Sequence, residues 1–152
     1  MVFNALHNEL AAVADLSLLT SSADLDRYSR DAYDYSPVLR EQLSQCRADL
    51  VVSAASVQAV EAVAAACHRH GVPLTLRGAG TGNYGQSVPL KGGVVLLMDA
   101  LREVRSIDPV SGVVTVECGC LMRDLDRALA VHGRQLRPVS YTHLTLPTNR
   151  EV

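Results

Sequence analysis

The chain has no tryptophan and a single phenylalanine, so aromatic platforms on which bases stack are scarce. Positive charge is not in excess either. Lys and Arg number 14 and are dispersed, Asp and Glu number 16, and the net charge is −2. These two shortages leave no electrostatic or stacking reason to expect a nucleic-acid partner. Long apolar runs are missing as well. The longest, residues 62–67, covers six alanine-rich positions, far short of a membrane-spanning helix, so no membrane span is expected. The opening Met1-Val2-Phe3-Asn4-Ala5-Leu6-His7-Asn8-Glu9 lacks the basic segment of a secretory signal, and a cytoplasmic location is the default expectation. Cys46, Cys67, Cys118 and Cys120 show no paired spacing of the zinc-site kind, and Cys118-Gly119-Cys120 stands isolated, so no metal is expected. The cysteines are read as small apolar residues in a reducing compartment.

What is present suits a globular protein: 152 residues with 48% hydrophobic and 20% charged content are enough for one domain with a core. Phe3, Leu6, Leu10 and Val13 recur with the period of an amphipathic helix. Ser21-Ser22-Ala23-Asp24 offers capping groups for a short second helix ending about Tyr28. Residues 28–37 then read as a polar connector with three tyrosines, which either line a ligand site or pack on the surface, packing being the simpler account.

From Leu50 the punctuation becomes regular. Leu50-Val51-Val52 is a strand, Ser56 caps a helix from Val57 to His70, and Gly71 with Pro73 ends it. Val57, Val60, Ala64 and Cys67 are the expected inward stripe. His68 and His70 point about 200° apart on a helix, so they cannot chelate one ion and are read as cations at the negative end of the helix dipole. Pro73-Leu74-Thr75-Leu76 is the next strand, residues 94–98 another, and residues 104–107 and 113–118 flank a hairpin turn at 108–112. Leu121, Leu125 and Leu129 mark a last helix closed by Gly133.

The most informative segment joins two of these strands: Leu76-Arg77-Gly78-Ala79-Gly80-Thr81-Gly82-Asn83-Tyr84-Gly85-Gln86-Ser87-Val88-Pro89. Glycines at this density let a backbone turn several N–H groups toward one anion, and a phosphate or pyrophosphate is the usual occupant. Gly80-x-Gly82-x-x-Gly85 formally matches the dinucleotide fingerprint, with Asp99 roughly where a ribose-binding acid is sought. That fingerprint requires the loop to open directly into a helix. Here Pro89, Gly92 and Gly93 follow, and then a strand. The order is strand, glycine loop, strand, which excludes the Rossmann reading, and no Gly-Lys-Ser/Thr supports a P-loop.

Four segments carry a family likeness: residues 48–52 (Ala-Asp-Leu-Val-Val), 71–82 through the glycines, 92–96 (Gly-Gly-Val-Val-Leu) and 113–119 (Val-Val-Thr-Val-Glu-Cys-Gly). Residues 24–137 thereby resemble the first half of the FAD-binding domain of the vanillyl-alcohol oxidase and p-cresol methylhydroxylase superfamily, nearest to glycolate oxidase and D-lactate dehydrogenase types. The resemblance implies an α+β fold with a small mixed β-sheet flanked by helices, here incomplete. It implies FAD as cofactor, held by the N–H groups of Gly78, Ala79, Gly80, Thr81 and Gly82 with help from the Thr81 hydroxyl and the Asn83 amide, Gly85 and Gln86 completing the segment. Arg77 either adds long-range attraction or serves as a surface charge or loop-stabilising partner. Thr81 stands where the berberine-bridge branch has a flavin-linked histidine, so the FAD is expected to be noncovalent.

The expected organisation is helices and connector in residues 1–45, the first half of the FAD-binding domain in 46–138, and a non-native tail in 139–152. That tail resembles the translation of a transposase-type sequencing-library adapter, so His143 is no catalytic candidate. The expected function is the N-terminal FAD-binding part of an oxidoreductase acting on a small 2-hydroxy acid, with the catalytic residues not identifiable. The alternatives are a flavin-carrying non-catalytic subunit beside a partner subunit, and a truncated product without function.

Overall fold

A computed structural model describes residues 2–32, 36–82 and 84–136. Three tyrosine-connector positions (33–35), Asn83 and residues 137–152, which include the expected tail, lie outside the described residues. The chain divides into two units, residues 1–101 and 102–152.

The first unit contains α1 (Val2–Ala11), β1 (Leu16–Leu19), α2 (Ser22–Tyr28), α3 (Pro37–Leu43), β2 (Leu50–Ala54), α4 (Val57–His70), β3 (Leu74–Arg77) and β4 (Val94–Leu97). Its sheet runs in the order β1-β2-β4-β3 and is mixed: β4 is parallel to both of its neighbours, and β1 closes the far edge antiparallel to β2. The unbroken apolar runs of β2 and β4 are explained by their central place, where both faces are covered. All four residues of β4 are buried. Successive side chains alternate between the two faces. Leu50, Val52, Val94 and Leu96 join Leu6 and Leu10 of α1 and Ala59, Val63, Ala66 and Cys67 of α4 in the larger core cluster. Val51, Val95 and Leu97 face the other way, toward Leu25 and Tyr28 of α2.

Local signals account for the helix ends. The hydroxyls of Ser21, Ser36 and Ser56 each accept the N–H three residues on, at the starts of α2, α3 and α4. Gly71 closes α4 in the left-handed conformation at φ 63°, its N–H meeting the Cys67 and His68 carbonyls. Glu9 of α1 accepts from His70 Nε2 at 2.8 Å and also pairs with Arg69, tying α1 to the end of α4.

Three expectations need correction. The inward stripe of α4 is Ala59, Val63, Ala66 and Cys67; Val57 and Ala64 are exposed and Val60 is half-buried. The helix is turned by about a quarter turn from the expected face, because alanine on nearly every side blurs its periodicity and small residues allow the closest approach to the sheet. The polar connector contains a helix, α3, started by Ser36 with Pro37 in its first turn. Leu16–Leu19, unassigned from the sequence, is the edge strand β1.

The second unit contains β5 (Val104–Ile107), β6 (Val114–Val116) and α5 (Met122–Ala130). β5 and β6 form the expected antiparallel hairpin, whose turn is held by the Asp108 carboxylate accepting the Val110 N–H at 2.9 Å. Arg105 and the Glu103 N–H both donate to Glu117, at 2.7 and 2.8 Å. Leu125 and Leu129 are the buried face of α5. Among the described residues no helix is long and apolar enough to cross a membrane.

Candidate cofactor-binding loop

β3 ends at Arg77 and its parallel neighbour β4 begins at Val94. A parallel pair needs a connection that returns the length of the sheet, and a helix usually provides it. Residues 78–93 make this return without a helix among their described members. The strand–loop–strand order is therefore as read from the sequence. What fills the role of a helix is glycine-rich backbone held from behind.

The holding begins with Arg77, which is only 7% exposed. Its Nη1 donates to Ser87 Oγ at 3.1 Å, and its guanidinium lies over the Tyr28 ring, 5.8 Å from the centroid. Burial pushes the Arg77 pKa down, while the negative charge of Asp31 opposes that fall; a guanidinium keeps its proton regardless. Gly80 sits directly against this group. At φ +66° it adopts a conformation that disfavours side chains, and a Cβ there would stand less than 3 Å from the Arg77 guanidinium. The second anchor is Asp31. Its Oδ2 accepts the Gly85 N–H at 2.7 Å and its Oδ1 accepts the Ser87 hydroxyl at 2.8 Å. The next residue, Ala32, donates its N–H to the Gly80 carbonyl at 2.8 Å.

The outward side of the loop is different. Gly78, Ala79 and Thr81 are exposed and Gly82 is half-buried. The N–H groups of these four residues have no hydrogen-bond acceptor among the described residues. Gln86 is exposed, but its Oε1 already accepts the Tyr84 N–H at 2.9 Å. The expected cofactor residues thus divide into exposed backbone donors at 78, 79, 81 and 82, a buried cation at Arg77 and a close-approach point at Gly80. Gly85 and Gln86 are engaged within the loop. Asn83 lies outside the described residues. Of the readings left open for Arg77, its surroundings are those of a loop partner and not of a surface charge.

Backbone donors without an acceptor among the described residues, near a buried cation, suit a pyrophosphate, whose charge several N–H groups share without a metal. Among the described residues there is no cluster of three metal-ligating side chains. A pocket of about 180 Å³ behind the loop, lined by residues including Asp31 and Gly85, is below the roughly 300–1,000 Å³ of ordinary ligand sites and is not a place for a dinucleotide. Asp31 and Ser87 are the site residues that sequence reasoning missed. The available signal was indirect: an arginine entering a glycine-rich loop needs a counter-charge when buried.

An α+β unit with a glycine-rich loop between two parallel strands has an architecture compatible with a nucleotide-cofactor domain. Residues 48–146 match the family described as an FAD binding domain, well over half of the chain, and the chain belongs to that family. Its cofactor is FAD. The chain is similar to the glycolate oxidase subunit GlcD of Escherichia coli strain K12, at 38% identity over 89 residues that cover 59% of this chain and 18% of that protein. It is also similar to a D-lactate dehydrogenase of Anaerostipes hadrus, at 32% identity over 81 residues that cover 53% of this chain and 17% of that one. The structure of p-cresol methylhydroxylase with substrate bound superposes with a TM-score of 0.70 over 87% of this chain and 25% of its own. At 18% identity that is a likeness of fold, and it bears out the p-cresol methylhydroxylase type expected for the domain. The chain spans about a fifth of the length of the curated relatives it matches.

Proposed function

We propose that residues 77–82 hold the pyrophosphate of noncovalent FAD in an oxidoreductase acting on a small 2-hydroxy acid. The observation that carries the cradle is the set of four N–H groups without an acceptor among the described residues, at Gly78, Ala79, Thr81 and Gly82, around a Gly80 backed by buried Arg77. A hydrogen bond to a charged group contributes about 1.5–3 kcal/mol, so several together anchor a doubly charged group. The Thr81 hydroxyl and the Asn83 amide are the side-chain contacts of this reading. Thr81 lacks the chemistry to form a covalent flavin bond.

When bound, FAD supplies the acceptor for two electrons. This chain's own part is to fix the cofactor's phosphates. The substrate class is supported by relatives named for glycolate and D-lactate, both 2-hydroxy acids. A partner subunit is part of the same reading, supported by the word subunit in the GlcD name. That word also favours the second reading, a flavin carrier whose partner performs the oxidation. A cytoplasmic location suits Cys46, Cys67, Cys118 and Cys120, all free thiols.

The test is titration of FAD into the isotope-labelled chain, followed by the backbone amide signals. The expected result is saturable binding with the largest shifts at residues 78–82 and release of unmodified flavin on denaturation. Binding that shifts other amides and spares these would overturn the cradle; flavin retained through denaturation would overturn the noncovalent assignment.

A further inference from the structure

The connector between α2 and α3 grips the glycine loop at three points. Ala32 N–H meets the Gly80 carbonyl at 2.8 Å. Asp31 takes the Gly85 N–H at 2.7 Å and the Ser87 hydroxyl at 2.8 Å. One grip, at Gly80, lies among the residues that carry the N–H groups, and two, at Gly85 and Ser87, follow them. The Ser87 hydroxyl does double service. It donates to Asp31 and accepts from Arg77 Nη1 at 3.1 Å, so it links the buried cation to the connector.

We infer that Asp31, acting through Ser87 and Gly85, is a positioning residue for the cofactor: it holds the loop in the shape that leaves the outward N–H groups free for an anion. The inference rests on the cradle reading above. A carboxylate beside a phosphate site is unfavourable unless its charge is already engaged. Here both oxygens are occupied by donors on the protein side, and the charge is balanced by Arg77. Asp31 therefore works without touching the ligand. The chemistry also demands an acceptor with two sites. A carboxylate accepts at both oxygens, whereas an amide accepts at one and presents a donor at the other. Asp31→Asn keeps an acceptor for the Gly85 N–H, but its NH2 meets Ser87 as a donor, so the Ser87 hydroxyl must turn and lose its acceptor, and Arg77 loses its counter-charge.

FAD affinity of the purified chain, measured by flavin fluorescence, is the first readout. Amide hydrogen exchange at Gly85 and residues 78–82, compared with α4, is the second. Asp31→Asn and Ser87→Ala are each expected to weaken FAD binding about tenfold to a hundredfold. They should also speed exchange in the loop while α4 keeps its protection. Ser87→Thr, which retains the hydroxyl, is expected to restore affinity to within a few-fold of wild type. A general loss of packing would instead accelerate α4 together with the loop, and the hydroxyl would not rescue it. If Asp31→Asn fails to fold, the Ser87→Ala and Ser87→Thr pair carries the test alone. Wild-type affinity in Ser87→Ala overturns the positioning role and leaves the cradle standing. Failure of a longer form of the protein, carrying the rest of the FAD-binding domain, to take up FAD overturns the cradle, and the positioning role with it.

Discussion

A methyl group placed on Gly80 probes the loop and its backing together. Gly80 and Gly71 both have positive φ, +66° and +63°, but a Cβ at Gly71 would have nothing within 4 Å, whereas one at Gly80 would press into the Arg77 guanidinium. Alanine in the left-handed region costs roughly 1–2 kcal/mol at either position. At Gly80 the guanidinium must also move, and it then gives up its bond to Ser87 inside a buried site. Loss of a hydrogen bond to a charged group adds about 1.5–3 kcal/mol. The expected destabilisation is therefore about 1–2 kcal/mol for Gly71→Ala and about 3–5 kcal/mol for Gly80→Ala. The gain from stiffening the unfolded chain is common to both and cancels in the comparison. A gap of about 2 kcal/mol corresponds to roughly a 30-fold difference in the unfolding equilibrium. Urea denaturation followed by far-ultraviolet circular dichroism measures it. Coincidence of the two variants within about 0.5 kcal/mol would refute the claim that Gly80 rests on a fixed Arg77.

Leu10 is fully buried between α1 and the sheet, so Leu10→Ala is expected to lose about 2–5 kcal/mol in the same assay. Ser56→Ala removes the acceptor for the Ala59 N–H and is expected to lose about 1 kcal/mol, with no change in FAD affinity. Glu9 is held below its ordinary pKa by hydrogen bonds from His70 and then Arg69. A depressed carboxyl contributes stability that is present above its unfolded value of roughly 4.3 and lost as pH falls through the folded value. The melting-temperature advantage of wild type over Glu9→Gln should thus be seen at about pH 6 and shrink progressively as pH falls below roughly 4.3. An advantage that persists in acid would show that packing, not charge, joins α1 to α4.

Much of the fold was legible because its signals are local. Ser56, Gly71 and Pro73 bracket α4 to the residue, and the apolar run of β4 announces a strand covered on both faces. The start of α3 carried the same kind of signal, Ser36 followed by Pro37 in the first helical turn. It was passed over because tyrosine and charge around it resemble a connector. β1 had no local signal of its own. Leu-Ser-Leu-Leu becomes a strand because the edge of β2 offers it a ladder, Leu16 opposite Ala54 through Leu19 opposite Val51. The face of α4 is hidden for a different reason: alanine lies on nearly every side of the helix, so its apolar period is weak. At the candidate site the glycines were legible and their support was not. Asp31 meets Gly85 across 54 positions and Ser87 across 56, and no periodicity encodes such a meeting.

The place of β4 in the sheet has a consequence for the glycine-rich segment. β4 lies between β2 and β3, which precede it in the chain and do not pair with each other. Among the described strands, β4 is the sole partner of β3. Their pairing sets Arg77 opposite Leu97. The pairing that completes the sheet thus also fixes the two strand ends between which the glycine-rich segment runs.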